Sequence, residues 1–443
     1  MHDRSKLESS DTNVRFLGRS ALAVLPVFVY FYVAVIQFFI GDDGKPRILN
    51  QIFWPTAVGC VLAFVLFNRS LLDRRYIFSL PVMSLAAYLL LAAASIGWAY
   101  SPDYALSRYF VQLFAVILVI APYAFPISTA HTPQRLHVCC AIAVAITAVI
   151  VLTTPPGPVG HTGYFTDKQT MGMFCGAIII ISAHELLFNG WRRLLAIVVI
   201  CVAVWLILES KSKAALALLL LALVFSGFVL AACKYFRTTP AFVLGFIVLV
   251  LSGLSLAFGK FSATLNDPIG SLSYHLYGDY TVTGRSYIWD FINHQISRAP
   301  WFGWGFHSYW GVPNSPNNEA PGFIRDMSSS HSGYLELRLD TGSIGYWIFL
   351  VFVYSSLHSF EMVRRKDPVR AWLYMAIASY VIFLNFIDSV WISLNGLWIL
   401  YLIVVAEGIR TALPNPSVSK SGAGRRPVRI RPQFSRPISQ NQR

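Results

Sequence analysis

The sequence predicts an all-α, polytopic membrane protein with about twelve transmembrane helices and one long polar loop. Three observations carry this expectation. The chain is 56% hydrophobic and only 13% charged. Apolar runs near 20 residues recur along it, and a helix rising 1.5 Å per residue needs ~20 residues to cross ~30 Å of hydrocarbon. Between Gly259 and Thr341 the pattern gives way to a polar stretch studded with aromatic residues, whereas every other polar island is short. A length of 443 residues would otherwise imply several soluble domains, but composition overrides that prior.

Taken in order, the apolar runs place spans near 21–40, 52–67, 80–97, 109–125, 137–153, 170–188, 194–208, 214–231, 240–258, 342–358, 371–387 and 389–406. The first run, from Ala21 to Ile40, lacks a small-residue cleavage exit and reads as a retained span. An even number of spans puts both termini on one side. With that side cytoplasmic, the inner loops hold Arg69, Arg74, Arg75, Arg192, Arg193, Lys234, Arg364, Arg365, Lys366 and Arg370, the excess that the positive-inside rule requires. The expected organisation is a cytoplasmic N-terminus (1–20), nine spans (21–258), a periplasmic loop (259–341), three spans (342–406) and a basic cytoplasmic tail (407–443). The tail is rich in Pro, Ser, Gln and Arg, reads as disordered, and carries charge that would attract anionic lipid.

The net charge of +14 follows this topology, so nucleic acid is excluded as a partner. The cysteines Cys60, Cys139, Cys140, Cys175, Cys201 and Cys233 lie in spans or at their inner ends, which argues against a disulfide framework. No D-x-D pair and no His/Asp/Glu set of ligand spacing occurs on the outer side. Asp42-Asp43 sits between glycines and reads as a turn, so neither metal nor cofactor is implied.

Two short helices are expected in the long loop. From Gly284 to Ser297, helical spacing puts Ile288, Trp289, Ile292 and Ile296 on one face, and Pro300 follows. Ser328, Ser329 and Ser330 supply N-cap candidates for a second helix running through His331 and Leu335 into the tenth span. Gly303 and Gly305, set among aromatics, suggest a tight turn.

Chemistry on the outer side rests on unmatched cations and one histidine. Lys168 precedes the sixth span, and Lys211 and Lys213 occupy the short turn before the eighth. Charge held near hydrocarbon is costly, so these residues either snorkel as anchors or meet an anion at membrane level. Arg285 follows Gly284 at a helix start, where its guanidinium fork and the helix N–H groups can bind a phosphate together. His331 near a helix start would be kept neutral and able to accept a proton. Glu336 and Asp340 follow at a spacing that orients it or caps the helix. His161, His275, His294 and His307 share the outer side, so position alone does not select His331. The loop aromatics Tyr274, Tyr277, Tyr287, Trp301, Trp304, Tyr309 and Trp310 suit sugar stacking or an interfacial belt.

These stretches, in this order, resemble the O-antigen ligase and polymerase superfamily, in particular its succinoglycan-type exopolysaccharide polymerases. Trp98-Ala-Tyr-Ser-Pro-Asp103 with Arg108 resembles the family's W-S-P-D turn. Gly163 to Gly172 resembles its G-x-F-x-x-K-N-x-x-G stretch, and Ser210-Lys-Ser-Lys-Ala-Ala-Leu216 its S-x-S-K-T-A-L stretch. Gly284-Arg285 to Trp289, then Pro300 to Phe306, resembles G-R-x-x-x-W … P-x-x-G-x-G. His331-Ser-Gly-Tyr-Leu-Glu336 with Asp340 to Gly345 resembles H-N-G-Y-L-D … G-x-x-G. Ser332 and Gln169 stand where the family has asparagine. Lysine replaces the arginine that ligases carry before the eighth span, which points away from a ligase.

The resemblance implies a GT-C-like, metal-independent, inverting glycosyltransferase of the inner membrane. Its substrates would be undecaprenyl-diphosphate-linked oligosaccharides, as donor and acceptor. Membrane lipid would be a partner, and a chain-length-regulating copolymerase is left open as another. Lys168, Lys211, Lys213, Arg285 and Arg108 would hold the donor diphosphate. His331 and Arg285 would be catalytic, supported by Gly284, Glu336 and Asp340. The alternatives are an O-antigen ligase acting on lipid A-core and, from a different class, a twelve-helix transporter. The clustering of polar residues outside the spans, rather than at mid-membrane, argues against the transporter.

Overall fold

Each expected span becomes a helix because apolar runs of bilayer length can satisfy their backbone only internally. The computed structural model describes residues 20–39, 48–157, 160–261 and 284–413. Its long helices are α1 (Ser20–Phe39), α2 (Ile48–Phe67), α3 (Leu80–Ser95), α4 (Pro102–Ile120) and α5 (Thr132–Thr153). There follow α6 (Lys168–Glu185), α7 (Trp191–Ser210), α8 (Lys213–Tyr235), α9 (Pro240–Phe261) and α10 (Arg285–Arg298). The last are α11 (Gly333–Lys366), α12 (Pro368–Ile387) and α13 (Gly396–Ala412). Among the described residues, β structure is confined to an isolated bridge between Gly157 and Gly160.

Ten of these helices are long and apolar enough to cross a membrane: α1–α5, α7–α9, α11 and α12. Among the described residues these ten stand beside the about twelve spans expected. The helices α6 and α13 stand where the sixth and twelfth spans were expected, but have 18 and 17 residues and are buried along nearly their whole length. Protein covers them: α6 packs on α5, α7, α8 and α12, and α13 on α4, α11 and α12. Helices enclosed in this way need less apolarity than lipid-facing ones.

Two boundaries move, and both matter. The helix at the twelfth expected span, α13, begins at Gly396 rather than 389, which leaves 388–395 as a non-helical turn. The second loop helix runs into the tenth span as one helix, α11, but starts at Gly333, after His331 rather than through it, and its 34 residues are longer than one crossing needs. It breaks at Gly342, where φ is 65°. A Cβ at Gly342 would stand 2.2 Å from the Trp301 carbonyl oxygen, so only glycine admits the loop there. That loop caps the break: the Trp304 and Gly305 N–H groups donate to Leu339 and Asp340, while those of Ser343 and Ile344 donate to Pro300 and Trp301. The backbone groups freed by the kink are thereby satisfied.

Helix α10 buries the face read from its spacing. Ile288, Trp289, Ile292 and Ile296 pack with Tyr309, Trp310, Leu335 and Leu339. The first half of α11 is thus clamped between α10 and the Pro300–Gly305 loop. The basic loops gather at the opposite end, where Arg410 pairs with Asp73 at 3.0 Å and Arg370 donates to the Ala130 carbonyl. Asp42, Asp43, Tyr274, Tyr277, His275 and the tail beyond Leu413 lie outside the described residues.

Candidate active site

The histidine singled out by sequence does not lie in a helix. His331 immediately precedes Ser332, the N-cap of α11, and adopts a left-handed φ of 47°. For a side chain with a Cβ this conformation costs ~1–3 kcal/mol and persists only when neighbours impose it. They do so here through Ser330. Its N–H donates to Glu336 Oε2 at 2.8 Å, its carbonyl accepts from Trp289 Nε1 at 3.0 Å, and its hydroxyl donates to the Ser332 carbonyl. Glu336 also accepts from Trp310 Nε1 at 2.8 Å. Gly333 completes the turn, donating to the Asp388 carbonyl at 2.9 Å while a Cβ there would overlap Asn385. Glu336→Ala should leave two buried donors unpaired and destabilise the protein by on the order of 2 kcal/mol or more. Thermal unfolding in detergent would check this as a lowered Tm.

The partner of His331 is an acid from a distant part of the chain. Asp388 Oδ1 lies 3.9 Å from His331 Nδ1, too long for a hydrogen bond but close enough for one to form by a small ring rotation. Asp388 Oδ2 accepts from Gln169 Nε2 at 3.2 Å, and Gln169 Oε1 accepts from Arg285 Nη2 at 3.2 Å. Arg285 is further oriented by donating through Nε to the Ile387 carbonyl at 2.9 Å. Four side chains from four segments thus form one line: His331, Asp388, Gln169, Arg285. Asp388 Oδ1 also accepts the Ser389 N–H at 2.7 Å.

Burial pushes the His331 ring below the ordinary imidazole range, against the pull of Asp388, while Arg285 adds to the lowering. Burial raises Asp388, against the opposing effects of His331 and Arg285. The ring is therefore neutral near pH 7, with a carboxyl beside it to stabilise the imidazolium that forms on proton uptake. If His331 is the base, activity falls on the acid side, with the limb below the ordinary imidazole range. Asp388→Asn removes a contribution that raises the His331 value, so the acid limb should move to lower pH while kcat drops. A pH–rate profile of wild type and variant checks both signs.

The other expected residues are distributed around this line. Lys168 is the first residue of α6, half-buried, and follows Asp167, which caps the helix by accepting the Thr170 N–H at 2.8 Å. Lys211 and Lys213 are exposed at the α7–α8 turn. That turn abuts the stretch leading to α6: the His161 N–H donates to the Glu209 carbonyl, and Gly172 fits closely against Ser212. Gly284 takes a φ of 83° as the N-cap of α10 and so sets the start at Arg285.

Arg108 is exposed and donates to the Tyr104 hydroxyl at 2.6 Å, on the side of His307 rather than in the line. Asp340 does not orient His331. It is buried beside the kink, where its carbonyl accepts from Gly305. Glu336 acts on the backbone of Ser330, not on the imidazole. His307 ties the long loop to the 388–395 turn by donating from Nε2 to the Ile392 carbonyl at 2.8 Å. Several loop aromatics are spent on packing: Trp304 stacks on Tyr100, Tyr309 is buried, and Trp310 is bound by Glu336. Tyr287 and Trp301 remain exposed. Among the described residues, no group of three or more His, Cys, Asp or Glu residues is set to hold a metal ion.

Sequence reasoning missed Asp388, which reads only as an acid at a span end, and noted Gln169 only as a departure from the family pattern. The signal was an acid, Asp388, and a buried amide, Asn385, one turn apart where a helix stops.

Comparison with known proteins bears on the central part of the chain. Residues 195–350 match a family model described as O-antigen ligase, a segment holding Lys211, Lys213, Arg285 and His331. A protein of Rickettsia felis (strain ATCC VR-1525 / URRWXCal2) named "Putative polysaccharide ligase" is 31% identical over 126 residues. The aligned part covers 27% of this chain and 30% of that protein, so the chain spans less than a third of that relative's length. Over residues 195–350, this all-helical chain with several membrane-spanning helices is thus similar to the O-antigen ligase family.

Proposed function

We propose that this protein polymerises oligosaccharide repeat units carried on undecaprenyl diphosphate, at the periplasmic side of the inner membrane. The observation that carries the reading is the line in which hydrogen bonds join Arg285 to Gln169 and Gln169 to Asp388, whose carboxyl lies 3.9 Å from the neutral His331. Such a line serves a reaction in which a hydroxyl must lose a proton while a phosphate leaves. His331 takes the proton of the acceptor hydroxyl. The oxygen attacks the anomeric carbon from the face opposite the diphosphate, and the bond from that carbon to the phosphate oxygen breaks. Arg285 meets the charge that grows on the leaving group, with Lys168, Lys211 and Lys213 as further cations. Asp388 stabilises the imidazolium. The new linkage is inverted, and no metal is assigned a role.

The excess of basic residues at the opposite end supports a cytoplasmic assignment for that end and for both termini. Lysine at position 213 supports a polymerase. The second reading, a ligase that moves finished glycan onto lipid A-core, is favoured by the family description and by the relative's name. Purified protein incubated with lipid-linked repeat units should yield a ladder of longer glycans, undiminished by a chelator. Transfer to lipid A-core without a ladder would establish the ligase. Neither product would remove both readings.

A further inference from the structure

Asp388 forms part of the wall of a cavity of about 160 Å3, lined by α1, α6, the stretch before α6, the 388–395 turn and the start of α13. Phe38, Phe165 and Phe174 supply aromatic faces, and Thr170, Asp388 and Ser389 supply polar groups. The space has identifiable structural causes. α1 is π-helical from Tyr32 to Ile36, and the Ala34 carbonyl there accepts from the Tyr164 hydroxyl at 3.1 Å. Ala34 packs closely against Gly396, where a Cβ would stand 3.0 Å from the Ala34 Cβ. Ser389 Oγ is buried and has no hydrogen-bond partner among the described residues. Leaving a hydroxyl so costs ~1–3 kcal/mol unless a ligand or water satisfies it.

These features select a ligand class. No lysine or arginine lines the cavity and a carboxylate does, which disfavours a phosphate. An orphaned hydroxyl beside a carboxylate is wasted on an isoprenoid chain. The volume lies below the ~300 Å3 of drug-sized sites, which suits one ring rather than several. Aromatic faces with a few fixed hydrogen-bonding groups are what a pyranose presents its two kinds of surface to. We infer that this cavity seats a single sugar ring of the acceptor, with ring hydroxyls bonded to Asp388 and Ser389 Oγ. The pocket thereby sets which sugar is accepted. This inference rests on the glycosyl-transfer reading above.

The test uses the full-length protein in detergent with a lipid-linked donor and synthetic repeat-unit acceptors, intact or lacking the non-reducing terminal sugar. Ser389→Ala and the cavity-filling Ala34→Leu should each raise KM for the intact acceptor by ~10-fold, with donor KM within about twofold of wild type. Both should also narrow the preference for intact over truncated acceptor. Ser389→Ala removes a single oxygen and keeps the test readable if Ala34→Leu does not fold. Wild-type acceptor KM and preference in a well-folded Ser389→Ala protein would overturn the pocket assignment alone. Wild-type protein that transfers no sugar would overturn the glycosyl-transfer reading, and this inference with it.

Discussion

Replacing His331 with alanine should abolish chain growth, lowering the rate of polymer formation by ~100- to 10,000-fold while the protein still reaches the membrane. His331 lies outside α11, at a turn whose left-handed backbone is enforced by Ser330, Glu336 and Trp289. A protein seldom holds a non-glycine residue there without gain. Its Nδ1 faces Asp388, which leaves Nε2 as the proton acceptor. Alanine removes the base but none of the bonds that shape the turn, so fold and membrane insertion should survive. Quantifying lipid-linked glycan by gel, beside membrane levels of the variant, makes the check. Full-length polymer from His331→Ala would exclude the assigned role.

Arg285→Ala should cost about 3–4 kcal/mol of transition-state stabilisation, a ~100- to 1,000-fold fall in kcat, because a preorganised donor at the leaving group is lost. Arg285→Lys should recover little. The guanidinium spans the Ile387 carbonyl and Gln169 at once, and an ammonium is a single point of charge. There is also a distinguishing pH effect. Arg285 lowers the His331 value, so its removal should shift the acid limb to higher pH, opposite to Asp388→Asn. Single-turnover rates across pH for both variants test the pair. Shifts of the same sign would break the proposed line.

Lys168, Lys211, Lys213, Arg285 and His331 were legible as outer-side cations and a histidine near a helix start, and the resemblance then set each in a short local motif. Asp388 belonged to no quoted motif, and Gln169 counted against the match. Yet these two join the histidine to the arginine. Asp340 and Arg108 show the reverse case. Asp340 was read from its spacing to His331 and Arg108 from the W-S-P-D resemblance; Asp340 is buried beside the helix kink, and Arg108 donates to the Tyr104 hydroxyl.

What the sequence determined by itself was the helical class, the helices near every expected span and the buried face of α10. Those follow from hydrocarbon thickness and helical period, which act on neighbouring residues. Only the tertiary structure decided that α6 and α13 are enclosed by protein, that α13 starts late, and that the turn so freed carries Asp388 to His331. Such outcomes depend on which helices meet and where their hydrogen-bonding groups fall. That is set by packing between segments far apart in the chain, and no local run of residues records it.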